Sequence, residues 1–314
     1  MNVFSSEAYL RTLVEIYFPR RRWTIELFET QGAQHRLLVV DGHGPVTLWP
    51  FLDFPQPLDA PAAEKARPLG YLPRAVLKTT TVEQRVPIVP GSGVTPAPFI
   101  RWAQFPDFTA FAALVAARNK TLLADSRRQR RRIEREVGPL QIQFDDRDPH
   151  VFATCLRWKS AQYLATGFPD LFANQDHVRM FRALHELGLV VISSLRAGDR
   201  LLAVHLGALD AQRMYSWVPS YDAELQRYSP GRLLLESILE ESFARRHLEF
   251  DFLIGDEAYK WNYATHNRLI GPLGNPPLEV RLERAVRQRM KAALSGYPRL
   301  LAAARRIKRL VKRT

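Results

Sequence analysis

The stretch QRYSPGRLLLESILEE, residues 226–241, predicts an amphipathic helix whose positive end is left uncompensated. Ser229 is predicted as the N-cap, with its side-chain oxygen accepting a hydrogen bond from the first turn, and Pro230 as the first helical residue. Acidic side chains usually gather in a first turn, but here Gly231 and Arg232 take those positions. The free N–H groups of such a turn can hold an anion, for example a pyrophosphate.

The segments on either side of this helix indicate a β-α-β unit. RMYSWVPS, residues 213–220, and LEFDFLIG, residues 248–255, are strand-like, and the helix between them is expected from about 229 to 246. In such a unit the ligand lies beyond the strand end, where backbone groups and the helix dipole converge. Ser-Pro-Gly also begins ordinary helices, so it is this context that favours an anion site.

The 70 or so residues before this unit alternate regularly between helical and strand patterns. The expected elements are a strand, two helices and two strands, at 140–144, 149–165, 174–187, 189–198 and 200–209. Gly198 and Asp199 form a tight turn between the last two strands, which predicts antiparallel pairing.

The first part of the chain is less regular. Short apolar runs separated by proline-rich stretches predict an irregular, β-rich half over the first hundred residues. A helical pattern then ends at Gly138, and it holds six arginines between 127 and 135. We favour a solvated helix face, with Glu134 and Glu136 as partners, over a phosphate-binding role.

Composition limits the classes of protein that the chain can represent. With 314 residues and 46% hydrophobic content it can bury a large core. Its single cysteine, Cys155, excludes an intramolecular disulfide, and its helical spacing predicts a buried small residue rather than a nucleophile. No His, Cys and Asp spacing indicates a metal site. No stretch is typical of a signal peptide or a spanning helix, which predicts a cytoplasmic protein.

The net charge of +13 is concentrated at one end of the chain. Residues 281–314 hold twelve Lys or Arg and one acidic residue, so this tail carries most of the excess positive charge. Leu300, Ala304, Ile307 and Val311 follow helical spacing among basic residues, which predicts a basic amphipathic helix on an anionic membrane surface. A solubilising tail and RNA binding are the alternatives.

Two motifs carry a resemblance to a known family. Tyr228-Ser229-Pro230-Gly231 leads into the leucine-rich helix, and FDFLIGDEAYKWNYA, residues 250–264, ends the next strand. Together with the arginine-rich helix, these resemble the GCN5-related N-acetyltransferases (GNAT), in the CelD/BcsL-like branch related to the Fem peptidoglycan-bridge transferases. The resemblance spans about residues 118–265.

The resemblance implies an α/β (α+β) protein with a GNAT acyltransferase fold. The first half is then a candidate degenerate copy of that fold, as in Fem-type enzymes. The expected domain organisation is a β-rich N-terminal half, a basic connecting helix, a GNAT-type domain and a basic amphipathic tail, at 1–117, 118–138, 139–275 and 276–314.

The family resemblance also implies acetyl-CoA, or another acyl-CoA, as cofactor. Its pyrophosphate would lie on the N-terminus of the leucine-rich helix and its pantetheine between the flanking strands. The expected cofactor-binding residues are Arg227, Tyr228, Ser229, Gly231, Arg232 and Val218. The family pattern has a second glycine or alanine after Gly231, and its absence here leaves the aminoacyl-tRNA donor of Fem-type enzymes as an alternative.

Acylation of an amine needs a base, donors for the oxyanion and an acid for the leaving thiolate. The resemblance assigns the acid to Tyr259; packing in a helix capped by Asp256 is the alternative. Glu257 is the first candidate for the base, or for gripping the amine, and Asp251 is the second. Asp251 alternates with phenylalanines in a strand, so it can also serve to bond neighbouring backbone.

Four further residues are candidates for binding the acceptor. Lys260 could grip a phosphate, as a lysine does in Fem-type sites, or lie free on the surface. Trp217 and Tyr215 could stack on a sugar ring, although a core role is commoner. His205 lies in a strand pattern, where a hydrogen-bonded structural histidine is favoured over a catalytic one.

These observations predict transfer of an acyl group to the amine of an amino sugar or a lipid-linked glycan, in envelope or exopolysaccharide biosynthesis. The enzyme would act in the cytoplasm, as a peripheral protein on the inner face of the membrane if its tail binds there. One alternative is an aminoacyl-tRNA-dependent Fem-like transferase. The other is a non-catalytic polysaccharide-assembly protein that retains the fold.

Overall fold

The computed structural model describes most of the chain up to residue 274. The described ranges are 3–30, 33–41, 44–45, 71–84, 87–88 and 92–274. The predicted basic tail, residues 276–314, lies outside them. In these ranges no helix combines the length and the apolar character needed to cross a bilayer.

The described ranges contain seven α-helices and eleven β-strands. The helices are α1 (Glu7–Tyr17), α2 (Phe108–Arg118), α3 (Leu122–Glu136), α4 (Pro149–Ala165), α5 (Gln175–Glu186), α6 (Pro230–Ala244) and α7 (Ala258–Tyr263). The strands are β1 (Trp23–Thr30), β2 (Ala33–Val40), β3 (Gly44–Pro45), β4 (Tyr71–Thr81), β5 (Thr95–Arg101), β6 (Leu140–Phe144), β7 (Val190–Ala197), β8 (Arg200–Leu209), β9 (Arg213–Tyr221), β10 (Glu249–Asp251) and β11 (His266–Gly274).

Eight of the strands form one sheet in the order β4-β11-β5-β10-β9-β8-β7-β6. The predicted β-α-β unit is confirmed, because β10 pairs in parallel with β9 after the α6 crossover. The predicted antiparallel pairing of β7 with β8 is also present. The remaining three strands form a separate sheet in the order β1-β2-β3.

Part of the first hundred residues completes the large sheet. Strand β5 lies between β10 and β11 and is antiparallel to both, and β4 pairs with the outer side of β11. The sheet therefore joins strands from both sides of residue 118, where a domain boundary is predicted; that boundary and the degenerate-copy hypothesis stay predictions. The helical pattern before Gly138 is two helices, since α2 ends at Arg118 and α3 begins at Leu122.

Helices cover both faces of the large sheet. On one face α1, α4 and α5 share a core cluster that includes Val151, Cys155 and Phe181. On the other face α2, α3 and α6 share a second cluster, in which Leu233 and Ile238 of α6 are fully buried. Each such side chain contributes about 1.5–3 kcal/mol through burial. Cys155 is fully buried, as predicted from its spacing.

Strand β10 is much shorter than the eight residues predicted for it. The Asp251 carboxylate accepts a hydrogen bond from the Leu253 N–H at 2.7 Å, and Leu253 adopts a left-handed φ of 58°. The Phe252 N–H then donates to the carbonyl of Pro98 in β5, at 3.0 Å. The chain thus turns away from β9 after Asp251, while β9 continues to Tyr221.

Asp251 also anchors a buried ion-pair network that includes Glu249 at the other end of β10. Arg268 of β11 donates to Asp251 at 2.9 Å and to Glu249, and Arg213 of β9 donates to Glu249 at 3.1 Å. Burial raises the pKa of Asp251, and the nearby Arg268 guanidinium opposes this. The network therefore links β10 to its neighbour β9 and, across the intervening β5, to β11.

We expect Asp251→Ala to lower the free energy of unfolding by about 3–5 kcal/mol, because it leaves the buried Arg268 without one carboxylate and removes the turn at Leu253. Urea denaturation measures this. The exposed Glu186 on α5 provides the control, and Glu186→Ala should change stability by less than about 0.5 kcal/mol. An Asp251 variant with wild-type stability and impaired turnover would instead favour the predicted role as a base.

Candidate functional site

A cavity of about 360 Å³ lies where β9 continues beyond the end of its pairing with β10. Its walls come from α4 on one face of the sheet, from α6 and α7 on the other, and from β8 and β9. The apolar part of the lining includes Leu122, Val204, Pro219, Leu234 and Leu235. The divergence of one strand pair thus creates an apolar cleft that is lined from both faces of the sheet.

The first turn of α6 forms one end of this cavity. Pro230 is the first helical residue, as predicted, but the predicted side-chain cap is wrong, because Ser229 makes no capping hydrogen bond. Ser229 has a left-handed φ of 53°, and its carbonyl accepts the N–H groups of Arg232 and Leu233 at 3.0 and 3.2 Å. The Gly231 N–H has no backbone acceptor within the described ranges. This donor remains available to a ligand.

Gly231 brings the backbone close to the cavity. A Cβ at this position would lie 3.3 Å from Cδ1 of Tyr221, so a larger side chain must displace that ring. Arg232 also lines the cavity, and its buried Nε has no hydrogen-bond partner. A free N–H, the positive end of the helix dipole and an unsatisfied guanidinium nitrogen make this end suited to an anion.

A histidine and a lysine contribute polar atoms elsewhere in the lining. His205 is 2% exposed; its Nε2 lies 3.0 Å from Oγ of Ser216, and its Nδ1 has no hydrogen-bond partner. Burial, assisted by the charge of Lys159, lowers the pKa of His205 to about 4. The Lys159 Nζ donates to the carbonyl of Pro219 at 3.2 Å, and burial lowers the pKa of this amine.

Lys159 was not identified from the sequence. The signal that could have found it is its position four residues after the fully buried Cys155 in α4, which places both on the same helix face. A lysine on a buried face is unusual and needs a partner. The other polar and aromatic lining residues missed by sequence reasoning are Gln162, Ser216, Ser220, Tyr221, Gln226, Asn262 and Tyr263.

Helix α7 brings Tyr259 and Tyr263 to the cavity. Tyr259 is 40% exposed, and burial of its hydroxyl group raises its pKa. The Tyr263 hydroxyl donates to Glu236 at 3.0 Å, on the α6 side. The N-cap of α7 is Glu257 rather than Asp256, whose carboxylate accepts the indole N–H of Trp261 at 2.8 Å. Of these two tyrosines, Tyr263 has its hydroxyl engaged by Glu236, whereas Tyr259 can offer its hydroxyl to a ligand.

Glu257 and Lys260 lie beside the cavity rather than in its lining. Lys260 is 4% exposed, so the surface-lysine alternative is wrong; its Nζ binds Glu257 at 2.8 Å and the carbonyl of Ile254 at 3.0 Å. Gly255 has a φ of 135°, and a Cβ there would collide with the Glu257 carboxylate. The lack of a side chain at Gly255 thus leaves room for the Glu257–Lys260 ion pair beside the backbone.

Arg227 and Tyr228 are turned toward α3 rather than toward the cavity. Arg227 donates to the Tyr228 hydroxyl at 2.8 Å, and that hydroxyl donates to Glu136 at 2.7 Å. The hydrogen bond from Tyr228, together with those from Arg132 and Arg135, lowers the pKa of Glu136 to about 2. This cluster fixes the end of α3 against the segment that precedes α6.

The remaining predicted site residues on β9 lie in the core. Trp217 packs against Phe181, with ring centroids 4.7 Å apart, and the Tyr215 hydroxyl donates to Asp210 at 2.9 Å. Val218 is 2% exposed in the same core cluster. Of the residues predicted from the sequence, the cavity therefore brings together His205, Ser229, Gly231, Arg232 and Tyr259.

The arginines of α3 largely have partners within the protein. Arg132 and Arg135 pair with Glu136, Arg128 pairs with Asp125, and Arg130 donates to the carbonyl of Leu233 and the hydroxyl of Ser237. Asp125, rather than the predicted Glu134, is the second acidic partner that the structure shows. These contacts support a helix face with internal ion pairs.

A second cavity, of about 630 Å³, lies between α2, α3 and α6. Tyr263 lines both cavities, and its bond to Glu236 separates them; Ser126 donates to the same carboxylate oxygen at 2.7 Å. Among the residues with described positions, no three His, Cys, Asp or Glu side chains are grouped to hold a metal ion.

Comparison with known proteins agrees with this geometry. Residues 120–261 match the family model described as the acetyltransferase (GNAT) domain. No curated protein is significantly similar in sequence. The crystal structure of FemX is similar in fold, with 9% identity and a TM-score of 0.51 over 86% of this chain and 91% of that chain.

Two further solved structures are more distantly similar. The C-terminal domain of a putative lysylphosphatidylglycerol synthetase from Agrobacterium fabrum has 12% identity and a TM-score of 0.42, over 74% of this chain and 69% of that one. A tandem GNAT protein from the clavulanic acid biosynthesis pathway has 10% identity and a TM-score of 0.37, over 86% and 88%.

We expect His205 to make folding stability fall as the pH decreases. Its pKa is about 4 when folded and 6.5 when exposed, so between these values the unfolded state binds the proton more readily. The free energy of unfolding is therefore not reduced by His205 above pH 6.5, and it falls as the pH decreases from 6.5 toward 4. Urea denaturation across this range should show a shallower pH dependence for His205→Asn, whereas the exposed His150→Asn should follow the wild type. Parallel His205→Asn and wild-type curves would contradict the assignment.

Proposed function

Because residues 120–261 match the family model described as the acetyltransferase (GNAT) domain, we propose that the protein transfers an acyl group from acetyl-CoA, or another acyl-CoA, to an amine. One observation carries the proposal. The cleft beside β9 combines an uncompensated α6 N-terminus with apolar walls, and none of the described Asp or Glu residues lines it. Such a cleft suits a ligand with an anionic end and an uncharged arm.

We place acyl-CoA in the cleft with its pyrophosphate at the α6 N-terminus. Its pyrophosphate would accept hydrogen bonds from the Gly231 N–H and the Arg232 guanidinium, where the helix dipole also favours negative charge. Its pantetheine arm would then run along the free edge of β9, against Val204, Pro219 and Leu235. The donor supplies an activated thioester, so the protein has only to position it and to manage protons.

Tyr259 would protonate the leaving thiolate, since its side chain lines the cavity and a phenol is protonated at neutral pH, with burial raising its pKa further. Glu257 is the favoured base or amine-binding group, because it is two residues from Tyr259 and more than half of its side chain is exposed. Asp251 is the second candidate, although its carboxylate is committed to Arg268 and Leu253.

The acceptor would be the amine of an amino sugar or glycan precursor, in envelope or exopolysaccharide biosynthesis. The sequence predicts that Lys260, Trp217, Tyr215 and His205 contact it. His205 lines the cleft, and each of the other three is next to a lining residue in the chain. A lipid-linked acceptor would give the basic tail a function, because each basic group near an anionic bilayer contributes about 1 kcal/mol to binding.

We expect acetyl-CoA to bind the wild-type protein and Gly231→Asp to bind at least about tenfold more weakly, because the new carboxylate would repel the pyrophosphate and displace Tyr221. Isothermal titration measures both. Gln175→Asp is the matched control, since it adds the same charge to the N-terminal turn of α5, outside the cavity.

The titration also separates the alternatives. Wild-type protein that binds charged tRNA but no CoA would overturn the proposal in favour of a Fem-like transferase. Binding of neither ligand would favour the non-catalytic assembly protein. Equal affinity of wild type and Gly231→Asp for acetyl-CoA would contradict the placement of the pyrophosphate.

We expect Tyr259→Phe to lower kcat by roughly 10²-fold or more while leaving the affinity for acetyl-CoA near the wild-type value. The phenyl ring keeps the packing against Phe252 but cannot give a proton to the thiolate. Release of free thiol with an amino-sugar acceptor measures kcat. Tyr221→Phe, on β9 in the same cavity, is the control; equal kcat values for the two variants would contradict a special role for Tyr259.

A further inference from the structure

The cleft holds a second cation that the proposed donor site does not use. Arg232 comes from α6 on one face of the sheet, and Lys159 comes from α4 on the opposite face. No carboxylate of the described residues lines the cavity; Glu236 and Glu257 lie outside the lining and act on Arg232 and Lys159 through their charge. Buried charges are normally paired directly, and a ligand in the cavity can give Lys159 the direct partner that the lining does not.

The Lys159 ammonium group has more N–H donors than the acceptors that the structure shows for it. An ammonium group carries three N–H donors, and the structure gives this one a single acceptor, the carbonyl of Pro219 at 3.2 Å. The nitrogen also lies 5.2 Å from the ring centroid of Tyr163, which holds the side chain in place without using a donor. Two donors are therefore left for a molecule in the cavity.

His205 supplies an independent observation beside this lysine. Its side chain is buried to 2% exposure, it lines the cavity, and its Nδ1 has no hydrogen-bond partner. When Nε2 accepts the Ser216 hydroxyl, Nδ1 carries the proton and becomes a donor. An orphan nitrogen at this depth is unfavourable unless a ligand satisfies it.

We propose that Lys159 and His205 form a subsite for a carboxylate group carried by the small-molecule substrate. This rests on the proposed acyltransferase function and narrows it to substrates that carry negative charge. A carboxylate has two oxygens, one for the Lys159 ammonium and one for the His205 N–H. An acceptor bearing only an ammonium group would be repelled by Lys159, whereas an amino acid or an amino uronic acid would not.

Two sources could bring this carboxylate into the cleft. It could belong to the acceptor, as in an amino uronic acid, or to the acyl group of the donor, as in a succinyl thioester. Matched probes distinguish them. 2-Amino-2-deoxyglucuronic acid differs from glucosamine only in having a carboxylate for a hydroxymethyl group, and succinyl-CoA differs from acetyl-CoA by an added carboxymethyl group.

Isothermal titration of the full chain with each probe tests the subsite, with the sugars titrated in the absence and in the presence of saturating CoA. In one of the two pairs, the carboxylate-bearing member should bind at least about tenfold more tightly to the wild type. That preference should disappear in Lys159→Met and persist in Lys159→Arg. Arg157→Met, on the exposed side of the same helix, should keep it unchanged.

Equal affinities within both pairs, or a preference that survives Lys159→Met, would overturn the subsite. Lys159→Met should fold, because removing a partly buried charge does not destabilise the core; if it does not, Lys159→Gln removes the charge while keeping a polar end. Failure of the wild type to bind any CoA ester would count against the acyltransferase function alone, since the sugar pair titrated without CoA still reports on Lys159 and His205.

Discussion

The parallel pairing of β10 with β9 lasts for only three residues, and the functional part of the molecule depends on that short length. A longer pairing would close the sheet, and the backbone of β9 beyond Tyr215 would be covered by its neighbour. The hydrogen bond from the Leu253 N–H to Asp251 ends the strand, and the pairing of β5 with β10 draws the chain away. The cleft therefore exists because the Asp251 carboxylate ends β10 after three residues.

The polar groups around this cleft are held at some cost to stability. Arg232 and His205 each keep a buried nitrogen without a partner, and Lys159 keeps a partly buried charge with one hydrogen bond. Unsatisfied buried groups are rare in folded proteins, and they concentrate where a ligand is to be bound. Elsewhere the buried charges of the sheet are paired: Arg268 is bound by both Glu249 and Asp251.

Several residues that the sequence predicts to contact ligands make structural contacts within the protein. Tyr228 and Arg227 close a network on Glu136, and Trp217 completes an aromatic cluster with Phe4 and Phe181. Their positions next to a helix start or in a strand before it suggested ligand contacts. Strand alternation directs the Trp217 side chain into the core, and the turn before α6 directs Arg227 and Tyr228 toward α3. Gly231 and Arg232, in the first turn of α6, line the cavity instead.

The sequence by itself determined the β-α-β unit around α6, the regular strands and helices from residue 140 onward, and the uncompensated helix start. These follow from local patterns: the spacing of apolar residues, the fixed φ of Pro230 and the lack of acid in the first turn. It also placed Tyr259 near the end of that unit. Only the tertiary structure decided that β5, far away in the chain, separates β10 from β11, and that Lys159 of α4 and His205 of β8 line the same cavity. Such pairings depend on packing between distant segments, which no local periodicity encodes.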